Sequence, residues 1–338
     1  MPSAGTMKRT IQSILGLALL AIGGWPRVSA AELRGGLALQ FDDGWHSWLT
    51  EVAPLIKTYG GVASGFVNDK YVLDGRITLD ELRSLQNDYG WEIGTHTANH
   101  QNAPRYVQIN GLDAWLANEL DPSLARLRAA GLRVDDLVFP FNASTPEIAK
   151  AALARGVGSY RRVDSLALAA GVRADGSLPG TSIDTAQYAP VDLIKKWIDL
   201  AQRRDEVLFL YGHRILPDDA FVAGRVVAVA GNVVTLDCPV ELAEGEEYVL
   251  VPDASRRQIA QSVIPVVSAG GTAVTVAEMP PDAVVVGREV LVGPNYGTRR
   301  SDFEELLRYA AERLRFCTIA DVRTGRNRSA AAAPEAAP

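Results

Sequence analysis

Cysteine, histidine and basic charge are all scarce in this sequence. Its 338 residues include two cysteines and four histidines, and its formal net charge is −6 at pH 7. Two cysteines allow at most one disulfide, and their surroundings do not resemble a clustered thiol metal site. The acidic balance argues against nucleic acid and anionic membrane surfaces as partners, because both attract a basic protein. The length allows one large domain and an additional module.

The N-terminal segment has the composition of a secretory signal peptide. Residues 7–9 supply a short positive region, residues 11–22 an apolar run, and residues 28–30 a small-residue cleavage site. Glycine and proline directly after the apolar run cut it short of the roughly 20 residues that a bilayer core demands. We therefore expect residues 1–30 to be removed on export to a periplasm or the extracellular space, without stable membrane insertion. A transmembrane anchor is the alternative.

Between residues 37 and 215 the sequence alternates short apolar runs with amphipathic segments. Such runs are typical of buried strands, and the amphipathic segments have apolar residues at helical spacing. Strand and helix in alternation predict an α/β fold of parallel strands with helices outside, as a barrel or an open sheet. The expected strands are LALQF, VASGFV, WEIGT, DLVFPF, GVGSY and EVLFLY, and the expected helices are Leu49 to Tyr59, Leu79 to Tyr89, Leu112 to Ala130, Thr145 to Ala154 and Val191 to Arg203.

Polar side chains follow four of these strands. FDDG comes after the first strand, THTANH after the third, PFN after the fourth and GHR after the sixth. In parallel α/β folds, active sites collect at the carboxyl ends of the strands. We therefore expect one rim of the fold to hold Asp42, Asp43, His96, His100 and His213.

The pattern changes after Ile215. Residues 217–294 are rich in valine and glycine and alternate as strands do, with a helical pattern only near Arg256 to Ser262. Two units of about 40 residues repeat, since VVAVAGNVVTL aligns with VVSAGGTAVTV and GEEYVLV with GREVLVG. The helical pattern DFEELLRYAAERLRF then resumes, followed by a short strand near CTIADV. These changes predict a small all-β module inserted into the main domain.

The predicted boundaries follow from these changes of pattern. The main domain spans 31–215 and is completed by 296–323, the inserted β module spans 216–295, and 324–338 is a flexible tail. Cys238 and Cys317 fall in different modules, so we expect two separate buried thiols, with a disulfide as the alternative.

His96 and His100 are spaced i and i+4, which suits a shared metal ion but also occurs in ordinary hydrogen-bonded pairs. A metal such as zinc accepts two imidazoles and one carboxylate and keeps a position open for water. Asp42 and Asp43 end a strand, where side chains alternate, so one can bind the metal while the other accepts a proton. Each motif alone is weak, because an Asp-Asp-Gly turn without a partner is also common.

QFDDG followed by HTANH resembles the first two motifs of the polysaccharide deacetylases of the NodB-homology type, carbohydrate esterase family 4. The resemblance implies a deformed (β/α) barrel that hydrolyses an acetamide, most often on an N-acetylated glycan. It also implies that Asp42 is the catalytic base and that Asp43, His96 and His100 hold a divalent metal. Zinc is the first expectation, although Co²⁺, Ni²⁺ and Mn²⁺ can use such ligands. Thr97 would hydrogen-bond locally and hold the turn.

The later motifs of the family match more loosely. His213, in LFLYGH, resembles the general acid that protonates the leaving amine, with Asp184 as its candidate partner and as a substrate-side residue. In VFPFN, the backbone amide of Phe141 is expected to help bind the oxyanion, but Val138 stands where the family has arginine. Asp42 then needs another cation, for which the candidates are Arg161, Arg162 and Arg214.

Several other residues have two interpretations. Trp45 and Trp91 are core residues or sugar-stacking surfaces, with Trp45 retained as a candidate substrate contact. Tyr188 or Trp197 is a candidate for the aromatic wall of the site. His46 either lines the mouth of the site or is a solvated residue at a helix start.

The sequence thus predicts an exported, metal-dependent polysaccharide deacetylase whose partner is an acetylated glycan. Two alternatives stay open: a hydrolase of another amide or of an O-acetyl ester on the same fold, and a non-catalytic glycan-binding protein. The β module has few aromatic residues, with Phe221 and Tyr248 the obvious ones, so we assign it no function.

Overall fold

A computed structural model describes residues 33–164, 166–187, 189–252 and 263–326 of the chain. The strands of its main domain before the β module are, in chain order, β1 (Gly36–Asp43), β2 (Ser64–Val67), β3 (Glu92–Thr95), β4 (Asp136–Leu137), β5 (Ser159–Val163), β6 (Leu168–Ala169), β7 (Ser177–Ser182) and β8 (Val207–Gly212). Seven of them are parallel, in the order β1, β2, β3, β4, β5, β7 and β8, and β8 pairs back to β1. This closure makes the domain a barrel, as predicted.

Helices surround this barrel and cover its outer face. They are α1 (Ala53–Thr58), α2 (Asp69–Leu73), α3 (Leu79–Asp88), α4 (Ala103–Asn110), α5 (Leu112–Trp115), α6 (Asp121–Ala129), α7 (Pro146–Ala154), α8 (Val191–Arg204), α9 (Arg300–Ala311) and α10 (Ile319–Thr324). A π-helical turn, Leu116–Leu120, joins α5 to α6, so the predicted helix from 112 to 130 contains an irregularity. Phe41 and Trp91 stack between sheet and helices with ring centroids 5.5 Å apart, which places Trp91 in the core.

The segment between β8 and α9 contributes β9 (Ile215–Leu216), β10 (Val222–Ala230), β11 (Val233–Leu236), β12 (Tyr248–Val251), β13 (Ile264–Gly270), β14 (Ala273–Val276), β15 (Glu289–Pro294) and β16 (Thr298–Arg299). Strands β10 to β15 close into a second barrel, in the order β10, β11, β14, β13, β12 and β15. The two sequence repeats occupy equivalent strands, and each carries a bulge at the same point, after Val226 and after Val266. The predicted fold class, a deformed (β/α) barrel with an inserted all-β module, is confirmed.

Two details of the predicted order of elements are wrong. The segment SLPGTS forms the buried strand β7, which was not predicted because glycine, proline and serine disfavour strands and the segment lacks an apolar run. The short strand expected near CTIADV is the helix α10, since Thr318 caps it by accepting from the N–H of Asp321. The strand there is β17 (Arg315–Phe316), which precedes it and pairs with β1.

Some predictions from the sequence concern residues outside the described ranges. These are the signal peptide, the helical pattern near Arg256 to Ser262 and most of the C-terminal tail. Within the described ranges, none of the helices has the length and apolar character needed to cross a bilayer. Cys238 and Cys317 are both free thiols, and Cys238 is half-buried rather than buried.

Candidate active site

The carboxyl ends of the barrel strands meet at a cleft of about 750 Å³. Along β1, Leu39 and Phe41 pack against the outer helices, whereas Ala38 belongs to the barrel interior. Because side chains alternate along a strand, Asp42 points into the barrel mouth. The cleft is lined by all five residues expected at this rim, namely Asp42, Asp43, His96, His100 and His213.

Asp43, His96 and His100 form a compact cluster at one side of the cleft. Nε2 of His96 lies 3.6 Å and Nε2 of His100 lies 3.4 Å from Oδ1 of Asp43. One ligand atom from each residue lies within 4.8 Å of the other two. Such separations suit three ligands that each bind one ion at about 2.0–2.2 Å, and two imidazoles with one carboxylate are a donor set of catalytic zinc sites.

The protonation states of the cluster also suit a metal. Burial lowers the pKa of both His96 and His100 to about 4, so both rings are neutral at pH 7. Nδ1 of His96 lies 2.7 Å from the carbonyl oxygen of Val138, which favours the tautomer whose free Nε2 lone pair faces Asp43. Neutral imidazole is the form that binds a metal, so these residues fit one.

The loop that carries the two histidines is held by the π-helical turn between α5 and α6. The carboxylate of the buried Glu119 accepts from the N–H and the side-chain amide of Asn99, each at 3.0 Å. The carbonyl oxygen of Glu119 accepts from the N–H of Ala98 at 2.9 Å. One buried residue therefore fixes the THTANH loop at its middle.

Arg161 supplies the cation that Asp42 needs. Its Nη1 donates to Oδ1 of Asp42 at 2.9 Å, its Nη2 donates to Oδ2, and both side chains are buried. Burial acts to raise the pKa of Asp42, but the charge and hydrogen bonds of Arg161 outweigh it and hold the pKa below its usual value. The other two candidates, Arg162 and Arg214, pair with different carboxylates. Asp42 is therefore ionised and held in one orientation.

Asn142 and Tyr211 complete the surroundings of Arg161. Oδ1 of Asn142 accepts from Nε of Arg161 at 3.1 Å and from Nη2 at 2.9 Å. The guanidinium carbon of Arg161 lies 3.8 Å from the ring centroid of Tyr211. Neither contact was predicted from the sequence, because each joins strands whose neighbours are known only once the barrel order is known.

His213 follows β8 and faces the cluster from the carboxyl end of that strand. Its Nδ1 lies 2.7 Å from Oδ2 of Asp184, and its N–H donates to Oδ1 of the same carboxylate at 3.2 Å. Burial acts to lower the pKa of His213, but the adjacent Asp184 outweighs it and raises the pKa to about 9. His213 is therefore protonated at neutral pH, and Asp184, which is 1% exposed, serves as its partner.

Backbone strain concentrates at this cleft. Seven non-glycine residues have positive φ in the described part of the chain, and five of them lie here: Asp43, Thr97, His100, Phe141 and Asn142. A bulky residue rarely adopts this region, and the φ of 59° at Phe141 persists only because its surroundings hold it. Such strain is typical of functional sites, where the fold fixes groups in otherwise unfavourable positions.

The rim of the cleft combines aromatic and charged residues from both modules. Trp45 is half-buried and lines the cleft, and Tyr71 packs edge-on against it with centroids 5.5 Å apart. The guanidinium of Arg214 lies over the ring of Trp45, 4.8 Å from its centroid. Glu247, at the edge of the β module, and Tyr296, in the segment directly after it, line the same cleft. No sequence motif marks either of them.

The structure distinguishes between the interpretations of three other candidate residues. The hydroxyl of Thr97 has no hydrogen-bond partner among the described residues; instead the hydroxyl of Thr95 accepts from the N–H of Thr97 at 3.1 Å. His46 has a 65% exposed side chain that contacts Glu81, so it is the solvated residue of its two interpretations. Trp197 packs in the core and is not an aromatic wall of the cleft. Tyr188 lies outside the described residues.

Three comparisons relate this chain to known proteins. Residues 32–121, which include QFDDG and HTANH, match the family model for polysaccharide deacetylase. None of the curated proteins matches the chain. Similar solved structures include the deacetylase domain of BpsB from Bordetella bronchiseptica, a family 4 carbohydrate esterase from Streptomyces lividans in complex with acetate, and the catalytic domain of a peptidoglycan N-acetylglucosamine deacetylase from Eubacterium rectale.

The extent of these structural similarities is limited. Identity to the Bordetella domain is 18%, with a TM-score of 0.33, over 37% of this chain and 62% of that domain. The Streptomyces esterase is 15% identical, with a TM-score of 0.39, over 54% and 80% of the two chains. The Eubacterium domain is 16% identical, with a TM-score of 0.38, over 53% and 76%. The segment 32–121, which carries both motifs, is thus similar to the polysaccharide deacetylase family.

Proposed function

We propose that this protein is a metal-dependent deacetylase that hydrolyses the acetamide of an N-acetylated glycan. One arrangement supports the proposal. Three residues that can bind a metal lie in the same cleft as Asp42, which is ionised and paired with Arg161, and as His213, which is protonated. General base and general acid catalysis requires one deprotonated and one protonated group at the reaction centre. Zinc is the first candidate for the metal, held by Asp43, His96 and His100.

Asp42 is the proposed general base. When bound, the metal would act as a Lewis acid that polarises the acetyl carbonyl and makes the attacking water more acidic. Asp42 accepts a proton from that water while the water oxygen adds to the acetyl carbon. Arg161 keeps Asp42 ionised before the reaction and fixes the direction of its carboxylate. The backbone N–H of Phe141, a residue that lines the cleft, is assigned to the oxyanion.

His213 is the proposed general acid. Collapse of the tetrahedral intermediate breaks the bond between the acetyl carbon and nitrogen, and the leaving amine needs a proton. His213 is protonated at neutral pH and gives that proton from Nε2, because its Nδ1 is engaged by Asp184. Asp184 thereby positions the ring and stabilises its charged form. The products are acetate and a glycan with a free amine.

Acetate release from a panel of substrates tests this function. The wild-type chain, supplied with Zn²⁺, is expected to release acetate from N-acetylglucosamine oligomers, and Asp42→Asn to release at least about 100-fold less. A matched control is Asp113→Asn, which changes an aspartate on the exterior helix α5. Release of acetate from acetylxylan alone would show that the substrate is an O-acetyl ester and not an amide. No acetate from any substrate in the panel would contradict the proposal.

We also propose that the protein acts outside the cytoplasm. The support is the sequence of residues 1–30, which has the three parts of a secretory signal peptide. Fractionation of cells that express the full chain, with N-terminal sequencing of the product, tests this. An intact N-terminus in the cytoplasmic fraction would contradict it.

A further inference from the structure

The two chain segments that connect the β module to the main barrel run side by side at the cleft. Strand β9 pairs in parallel with β16, and the N–H of Thr298 donates to the carbonyl oxygen of Arg214 at 2.9 Å. His213 lies two residues before β9, and Tyr296 lies two residues before β16. The pairing therefore sets these two side chains next to each other, with ring centroids 4.8 Å apart.

The backbone around Tyr296 is fixed on several sides. Its carbonyl oxygen accepts from Nε of Arg214 at 3.2 Å, and the guanidinium of Arg214 makes a two-point ion pair with Glu246 of the module, at 2.7 and 2.6 Å. The neighbouring Asn295 donates its N–H to the carbonyl oxygen of Glu247 at 2.7 Å and accepts from the N–H of Ala186 at 3.0 Å. Tyr296 is therefore held by both the module and the main barrel.

The side chain of Tyr296 is nevertheless open. It is 44% exposed, although the residues beside it are strongly anchored, and its ring lines the cleft together with Trp45 and Tyr71. A large aromatic ring that is fixed in place but left uncovered offers a flat apolar surface with a polar hydroxyl at its edge. Glu247, which is exposed on the same rim, offers a hydrogen-bond acceptor.

The position of this ring identifies the part of the substrate that it can meet. His213 gives its proton to the leaving nitrogen, so the group attached to that nitrogen must lie beside His213. Tyr296, in the segment by which the chain returns from the β module to the main barrel, touches His213, and it therefore faces the alcohol-bearing ring of an amino sugar rather than the acetyl methyl group. A pyranose has an apolar face of C–H groups and a rim of hydroxyls, which matches an aromatic ring beside a carboxylate.

We propose that Tyr296 binds the pyranose that carries the scissile acetamide, so that the segment returning from the inserted β module completes the substrate site of the main barrel. The proposal rests on the proposed function, because it uses the role of His213 there. It gives the module, whose sequence shows no aromatic sugar-binding platform, the role of holding the backbone around Tyr296 in place at the cleft.

Binding of the tetramer of β-1,4-linked N-acetylglucosamine tests the proposal. Full-length chains are prepared with Asp42→Asn, to prevent turnover, alone and together with Tyr296→Ala, Tyr296→Leu or Tyr296→Phe. Tyr89→Ala is the matched control, because Tyr89 lies at the end of α3, at the opposite end of the barrel. Calorimetry measures each Kd, and thermal unfolding verifies that each variant folds.

We expect Tyr296→Ala and Tyr296→Leu to raise Kd about five- to tenfold relative to the parent chain. Tyr296→Phe and Tyr89→Ala are expected to leave Kd within about twofold of the parent value. The leucine variant keeps most of the side-chain volume, so it separates loss of the flat ring from loss of packing. Equal Kd values for the alanine, leucine and control variants would overturn the proposal, as would no binding by the parent chain. Acetate release by the chain with Asp42 intact decides the proposed function separately, whatever the Kd values are.

Discussion

Arg161, on β5, reaches across the barrel mouth to bind both carboxylate oxygens of Asp42 at the end of β1. The family motif would place an arginine at Val138, directly after β4, and β5 is the strand next to β4 in the sheet. The cation has therefore been supplied from the neighbouring strand. The charge of the base is therefore balanced although Val138 is not an arginine.

Replacement of Arg161 by alanine is expected to lower kcat/KM by about 100-fold or more and to destabilise the fold by roughly 3–5 kcal/mol. Without the guanidinium, burial raises the pKa of Asp42 and leaves its charge unpaired. Acetate release and urea unfolding measure the two effects. Arg162→Ala is the matched control, since its exposed side chain pairs with Asp175 on the surface. An Arg161→Ala variant with the activity of this control would exclude Arg161 as the partner of the base.

Replacement of Asp184 by asparagine is expected to move the alkaline limb of the pH–rate profile to lower pH. Burial lowers the pKa of His213, and the adjacent carboxylate of Asp184, with smaller contributions from Asp42 and Asp43, raises it to about 9. Loss of the carboxylate therefore lowers this pKa, and His213 loses its proton at a lower pH. We expect activity at pH 8 to fall by at least about tenfold. The log of kcat/KM against pH for both chains provides the measurement, and an unmoved alkaline limb would refute the role of Asp184.

Glu92 gives a prediction about stability at the closed end of the barrel. Its Oε2 accepts from the N–H of Ala320 at 2.7 Å and from the hydroxyl of Ser64 at 3.2 Å. Burial and the adjacent carboxyl of Asp136 raise the pKa of Glu92 well above its usual value. The pKa is thus higher in the folded than in the unfolded chain. Its contribution to stability is fully present below the unfolded pKa and is lost as pH rises through the folded pKa.

Glu92→Gln mimics the protonated side chain at every pH. We expect its Tm to exceed that of the wild type at about pH 8 and the difference to close toward about pH 4, where the wild-type carboxyl is protonated as well. Calorimetric Tm values across this range measure it, with the exposed Glu244→Gln as control. A Tm difference that is constant with pH would show that Glu92 does not titrate as described.

Much of the fold follows from local patterns in the sequence. The alternation of strand and helix predicted parallel strands with helices outside, and the family resemblance of the two motifs predicted their closure into a barrel. The positions of FDDG, THTANH, PFN and GHR predicted the rim, because parallel strands end on one side. Strand β7 was not predicted, since SLPGTS is buried by its neighbours and not by its own composition. Helix α10 was predicted as a strand, because a six-residue helix shows too few turns for its period to be read.

Some residues of the site could be predicted from the sequence, and others could not. Asp42, Asp43, His96 and His100 stand in two short motifs, and the sequence alone pointed to them. The choice of Arg161 among three arginines required the strand order, because its partner is 119 residues away. Tyr296 required the pairing of β9 with β16, which brings two segments together across the whole inserted module. Contacts between distant segments leave no local trace in a single sequence.

The metal content of the purified chain shows whether Asp43, His96 and His100 form a metal site. Full-length chains, wild type and with His96 and His100 both replaced by alanine, are loaded with Zn²⁺, dialysed and analysed for metal. We expect about one metal ion per wild-type chain and none in the double variant, whose folding is verified by its thermal unfolding. Lys150→Ala, a change on the exterior of α7, should retain the ion. Equal metal content in the wild type and the double variant would contradict the claim that these histidines hold a catalytic metal.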